Sequence, residues 1–224
     1  MTKPSIPRSI PELMNNVDAI AGLTLGEIAT QFDFAIPKNL LKEKGWSGQL
    51  IEYALGASAG SKPVPDFEHL GIELKTLPIG YNGKPLETTY VTVVPLTDVT
   101  GLRWEESVVK HKLNHVLWLP ILAQRDIPPM DRTIGCGFLW RPNQHEEALL
   151  RRDWEEQMEL IALGKVNDVS GHLGEVMQIR PKAANSKALT DAIGPDGKII
   201  KTLPRGFYLK TQFTTTILAN QFSI

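Results

Sequence analysis

The sequence predicts a mixed α/β molecule built as two lobes, and three observations carry that expectation. Apolar residues recur at three- and four-residue spacing through 9-SIPELMNNVDAIAGLTLGEIATQF-32 and again through 38-KNLLKEKGWSGQLIEYALGA-57, the mark of helices with one buried face. They alternate singly through 70-LGIELKTL-77, the period of a strand, and 87-ETTYVTVVPL-96 is rich in β-branched residues. The second half repeats the mixture, with the long helical pattern 143-NQHEEALLRRDWEEQMELIALG-164 followed by strand-like segments. With 224 residues and 42% hydrophobic content, the chain suits one substantial domain or two closely associated lobes.

Taken in order, the first third is helical, and Glu52 sits on the second of its two patterns. The alternating segment follows, with Glu73 and Lys75 on the same side of the strand. The Asn-Gly turn of 80-GYNGK-84 makes 87–96 the expected return strand of a hairpin. Next, 105-EESVVKHKLNHVLWLPIL-122 reads as helix or loop running into another strand. The second half starts near 133-TIGCGFLW-140. In its long helix the acidic stretch 146-EEALLRRDWEEQME-159 reads as a solvated face. Beyond it, 174-GEVMQIRP-181 is an expected strand, 182-KAANSKALTDAI-193 a loop leading into a helix and 195-PDGK-198 a turn. A strand at 206-GFYLK-210 and a closing helix at 212-QFTTTILANQF-222 complete the reading.

Composition and spacing set aside several functions. No run of about 18 apolar residues exists and the N-terminus lacks a secretory apolar stretch, so the expected location is the cytoplasm. A single cysteine, Cys136, gives no internal disulfide or thiolate cluster and reads as a core or loop residue. His111 and His115 are four apart but have no third ligand and no HExxH context, which leaves them as partly exposed polar residues. In 80-GYNGKP-85, Pro78 and Pro85 occupy the positions where a Walker A loop needs glycine and Ser/Thr. No GxSxG is present. The net charge of −1 hides an asymmetry: from Arg180 to Lys210 there are seven basic residues against two acidic ones. Such a local surface is compatible with gripping nucleic acid in one place.

Asp66, Glu73 and Lys75 stand in the order PD-x6-E-x-K, and their types match what phosphodiester cleavage requires. Mg²⁺ prefers hard oxygen ligands and keeps several waters, so two carboxylates, a carbonyl and a phosphate oxygen suit it. A neighbouring lysine can position or deprotonate the attacking water, or neutralise the pentavalent intermediate. On pattern alone, a surface salt bridge between Glu73 and Lys75 with Asp66 in a turn is the commoner arrangement of such residues.

The wider sequence adds to this. Through 44-KGWSGQLIEYALGASAGSKPVPDFEHLGIELKTLP-78, 178-QIRPKAANSKALTDAIG-194 and 204-PRGFYLK-210, the chain closely resembles the MutH family, strand-nicking endonucleases of methyl-directed DNA mismatch repair. The resemblance covers nearly the whole chain. It implies a restriction-endonuclease-like fold, in which a central mixed β-sheet is flanked by helices and two arms form a DNA cleft. The catalytic arm is expected at about 1–125 and the recognition arm at about 126–224. It also implies a Mg²⁺-dependent cut at hemimethylated GATC on the unmethylated strand. Carried over by position, Asp66 and Glu73 match the metal-binding carboxylates, Lys75 the catalytic lysine and Glu52 an additional acidic residue from the helix. Lys112 matches a further active-site lysine, with a solvated lysine as the plainer alternative.

The same resemblance places GATC recognition around 180-RPKAANSK-187 with Tyr208 nearby. Arginine can bond guanine in pairs, whereas lysines secure phosphates without reading sequence. Arg180 and Lys182 are the leading base or near-base contacts, and Lys187 and Arg205 are phosphate or structural residues. Pro181 holds the loop in a defined conformation. Tyr208 is either a half-buried strand aromatic or part of a tight pocket that rejects the adenine methyl. The expected partners are double-stranded DNA and the activator MutL, with MutS upstream, and the expected enzyme is a monomer. Two alternatives stay open: a GATC restriction endonuclease making double-strand breaks, and a DNA-binding protein without chemistry.

Overall fold

The computed structural model describes residues 4–40, 45–60, 64–183, 185 and 187–222. Residues 41–44 of the expected second helix, 61–63 before Asp66, and Ala184 and Ser186 of the expected recognition segment lie outside the described residues. In chain order the helices are α1 (Ile10–Ile20), α2 (Leu25–Gln31), α3 (Trp46–Leu55), α4 (Val108–Leu113), α5 (Gln144–Ala162) and α6 (Thr211–Phe222). The strands are β1 (Glu73–Ile79), β2 (Thr89–Val93), β3 (Val116–Leu122), β4 (Thr133–Ile134), β5 (Phe138–Trp140), β6 (Met177–Pro181), β7 (Thr190–Ile193), β8 (Ile199–Thr202) and β9 (Arg205–Leu209). The fold is mixed α/β. It forms two compact units, Met1–Leu86 with Asn114–Arg141 and Glu87–Leu113 with Pro142–Ile224. The units are interleaved in sequence, whereas the expected arms are contiguous stretches. Among the described residues no helix is long and apolar enough to cross a membrane.

The first unit is organised by β3. Its run Val-Leu-Trp-Leu-Pro-Ile-Leu is apolar on both faces, as a strand covered from both sides requires, and its first six residues are buried. β1 runs parallel to it in the register Glu73 to Val116, and β4 and β5 pair antiparallel along it. Leu13, Val17, Leu25, Ile28, Leu50 and Leu55 of α1 to α3 share one core with Ile72, Leu74, Leu117 and Leu119. The helical spacing of 9–32 resolves into two helices. Ser9 caps the first and a Thr24–Glu27 capping box opens the second, while Gly22, at φ +82°, turns the chain between them and donates to the Ile134 carbonyl. Cys136 is exposed in the connection between β4 and β5.

Two local expectations are corrected by pairing. The Gly80–Lys84 turn forms, with Gly83 N bonded to Gly80 O at 2.9 Å, but the chain beyond it makes only the bridge Ile79 to Pro85 with β1. β2 instead pairs antiparallel with β9, in the second unit's sheet of order β2-β9-β6. Likewise 190–193 is a strand, not a helix. β7 and β8 form a ribbon around 195-PDGK-198, where Gly197 takes φ +75°. The cross-strand pairs of Ile193 with Ile199 and Ala192 with Ile200 outweigh the weak helical preference of the segment. A third correction concerns α5. An Asn143–Glu146 capping box opens it, but Glu146, Asp153 and Gln157 are buried, so its acidic stretch is not simply a solvated face.

Candidate functional site

The chain reverses tightly just before β1. Phe67 N donates to Ile72 O at 2.9 Å across the short turn Glu68–Leu70, which ends at Gly71 with φ +64°. This brings Asp66 back to the start of the strand, where its Oδ2 accepts from Leu74 N at 2.9 Å. Asp66 O also accepts from Ser58 N at 3.0 Å, which joins it to the chain leaving α3. Glu73 opens β1 with its N–H on His115 O at 3.0 Å. Two residues on, as the strand period requires, Lys75 Nζ donates to Glu73 Oε1 at 2.6 Å. The side chains are 2% exposed for Glu73 and 11% for Lys75. This is no ordinary surface ion pair. Desolvating two charges costs several kcal/mol per ion before their attraction offsets it, an arrangement found where function calls for it.

Asp66, Glu73 and Lys75 are thus brought together. Glu52 lies half-exposed on α3 in the same unit, and Lys112 half-buried on α4 in the other. His115 is buried, not partly exposed as its sequence context implied. Arg141 Nη2 donates to its Nδ1 at 2.9 Å, and burial, with Arg141 second, holds its pKa below the ordinary value. The donor set suits Mg²⁺, which is held by one or two carboxylates and retains waters. Among the described residues no group of three His, Cys, Asp or Glu could hold a metal ion. The bonds from Leu74 N and Lys75 Nζ orient these two carboxylates.

The second unit carries the other candidate residues. Tyr208 of β9 stands opposite Tyr90 of β2 and Gln178 of β6, and Gly206 stands opposite Arg180. The two tyrosine rings meet edge to face at 5.4 Å. Arg180 lies 5.7 Å from the Tyr208 ring centroid and Lys182 Nζ 3.1 Å from that of Tyr90. A Cβ at position 206 would come within 2.9 Å of the Tyr90 ring, so glycine lets the rings close over the strand. The result is a face of stacked cations and aromatic rings. Burial raises the Tyr208 phenol pKa, while Arg180 acts against that shift. Arg180 Nη1 also donates to Thr88 Oγ1 at 3.0 Å. Pro181 and Lys182 are exposed at the end of β6, and Lys182 N donates to Pro204 O at 2.7 Å. Lys187 is exposed, its N–H turned onto Asn185 Oδ1.

Arg205 is half-buried, with a buried Nε that has no hydrogen-bond partner among the described residues, and burial lowers its pKa. A buried, unsatisfied guanidinium donor is costly. Tyr90 was absent from the sequence-based candidates, because only the pairing of β2 with β9 sets it against Tyr208.

A family model described as DNA mismatch repair enzyme MutH matches residues 55–153, a span that includes Asp66, Glu73, Lys75 and Lys112. The DNA mismatch repair protein MutH of Shewanella woodyi is 58% identical over 224 residues, covering 100% of this chain and 97% of that protein. The protein of the same name from Vibrio cholerae is 55% identical over 217 residues, 97% of this chain and 98% of its own. That of Photorhabdus laumondii is 55% identical over 221 residues, 99% of this chain and 97% of its own. Similar to these proteins from end to end, the chain belongs to the MutH family, the endonucleases of DNA mismatch repair.

Proposed function

We propose that this endonuclease nicks the unmethylated strand at hemimethylated GATC sites by Mg²⁺-dependent phosphodiester hydrolysis. The observation that carries the reading is the buried Glu73–Lys75 pair at 2.6 Å, beside an Asp66 carboxylate fixed by Leu74 N. Asp66 and Glu73 would hold the ion. When bound, Mg²⁺ supplies a lowered pKa for a coordinated water and charge compensation at the phosphate. Lys75, oriented by Glu73, acts on the attacking water or on the charge of the pentavalent phosphorus. Glu52 and Lys112 contribute a supporting carboxylate and a supporting cation.

DNA is read by the second unit. Arg180 and Lys182 address base edges, Lys187 and Arg205 address phosphates, and Pro181 sets the loop. Tyr208, with Tyr90 against it, forms the tight wall that rejects an N6-methyl group on one strand. The enzyme acts as a monomer in the cytoplasm, and MutL activates it after MutS has engaged a mismatch. A monomer with one catalytic centre cuts one strand.

The test uses a supercoiled plasmid carrying hemimethylated GATC sites, with wild type and Glu73→Ala compared at fixed Mg²⁺, with and without MutL. Open circles from wild type alone, formed faster with MutL, are the expected product. Linear DNA would favour a restriction endonuclease, and binding without cleavage would favour a protein devoid of chemistry.

A further inference from the structure

Asp153 of α5 is fully buried, and the phosphodiester chemistry makes no use of it. Its carboxylate receives three successive backbone N–H groups: Glu175 on Oδ1 at 3.0 Å, Val176 on Oδ2 at 2.7 Å and Met177 on Oδ2 at 2.8 Å. One turn along the helix, Gln157 Nε2 donates to Met177 O at 3.0 Å. Gly174 starts the same turn with φ +76°, and a Cβ there would strike Met177 O at 2.0 Å. From the opposite direction, Lys210 Nζ donates to Gly174 O and Lys210 N to Val176 O at 2.8 Å. Helix α5, the residues leading into β6 and the residue that follows β9 are thereby fastened at one point.

That point indexes the reading face. Arg180 lies three residues beyond Met177 on β6, and Tyr208 two residues before Lys210 on β9. The two members of the cation–aromatic pair are therefore counted from a single clamp. Among the described residues β6 pairs only with β9, in a five-residue ladder. A slip of one residue would turn Arg180 to the core side, and a looser start would let it drift along Tyr208. Three amides on a buried carboxylate oppose both, because withdrawing the acceptor leaves buried donors unsatisfied.

We propose that Asp153 is a positioning residue for DNA recognition, fixing the register of Arg180 against Tyr208 through the backbone of Glu175–Met177. The proposal rests on the reading of Arg180 and Tyr208 as DNA contacts. Asp153→Asn keeps the shape of the side chain but turns an N–H₂ group toward backbone donors, so it should fail where a mere volume requirement would be met.

Two readouts on the full chain test it. Hydrogen exchange should show faster exchange at residues 175–177, spreading to Arg180 and Tyr208. The ratio of kcat/KM for hemimethylated GATC to that for a site with one base changed should fall about tenfold, the size of one weakened base contact. Binding to non-specific duplex should be unchanged. If Asp153→Asn does not fold, Lys210→Met loosens the same clamp from the β9 side, and the same two changes are expected. Faster exchange confined to 175–177 with an unchanged ratio would overturn the proposal, leaving Asp153 as a structural residue only. If wild type itself shows no preference between the sites, the reading of the face as a DNA reader fails. The spread of exchange to Arg180 and Tyr208 then decides the positioning role alone.

Discussion

At the scale of single residues, Glu73 and Lys75 face a conflict between stability and chemistry. The Glu73 side chain is 2% exposed and its ion pair with Lys75 spans 2.6 Å. Removing one member of a buried pair costs about 3–5 kcal/mol, because the other charge remains desolvated. For a chain of this size each kcal/mol moves the thermal midpoint by about 2–4 °C. Lys75→Met is therefore expected to melt on the order of 10 °C below wild type in calorimetry. Millimolar Mg²⁺ should recover part of that loss by compensating Glu73. Adding Glu73→Gln to Lys75→Met should restore stability without restoring nicking. A Lys75→Met protein as stable as wild type, and indifferent to Mg²⁺, would remove this account of the pair. These three residues were legible because PD-x6-E-x-K fixes their spacing and the strand period fixes their side. The burial of Glu73 was not, since nothing local to 66–75 announces that β3 will pair along β1. Tyr90 and Asp153 were illegible for the same reason, their partners lying more than a hundred and more than twenty residues away, respectively.

At the scale of elements, the junction of β1 with β3 is expected to lose stability in mild acid. Glu73 N is held by His115 O, and the His115 ring is buried with Nδ1 accepting from Arg141. An imidazole that accepts at one nitrogen from a guanidinium is neutral. Its folded pKa lies below the ordinary 6.5, chiefly through burial. As pH falls through that value the unfolded chain takes up a proton that the folded chain resists, so the unfolded state binds more protons and stability declines. The window runs from 6.5 down to the lowered folded value, and above 6.5 the residue contributes no slope. His115→Gln should show a shallower fall of thermal midpoint than wild type across that window. Equal slopes in the two proteins would assign the acid sensitivity elsewhere. Elements with local signals emerged as expected: the long helix α5, the Asn-Gly turn, the strand within 105–122 and the strand at 206–210. Pairing did not, because the partner of a strand is a long-range property. The hairpin expected of β1 and β2 dissolved once β2 found β9, and 190–193 became a strand only because β8 was there to receive it.

At the scale of the whole molecule, the net charge of −1 gives little general attraction to DNA, so electrostatic binding must come from an uneven distribution. The seven basic residues between Arg180 and Lys210 all fall in the second unit, and within them two kinds of contact should separate experimentally. Lys187 is an exposed ammonium outside the aromatic face, suited to a phosphate. Arg180 is a planar fork ranged along Tyr208 and anchored to Thr88, suited to a base edge. Each released counterion contributes about 0.9 to the slope of log affinity against log salt. Lys187→Ala should therefore weaken GATC and unrelated duplexes alike and lower the slope by about one. Arg180→Ala should cost roughly 1–3 kcal/mol on GATC beyond its loss on unrelated DNA. Fluorescence anisotropy on both duplexes across a salt series resolves the two patterns. The division of labour would be wrong if Lys187→Ala left the slope unchanged, or if Arg180→Ala weakened both duplexes equally.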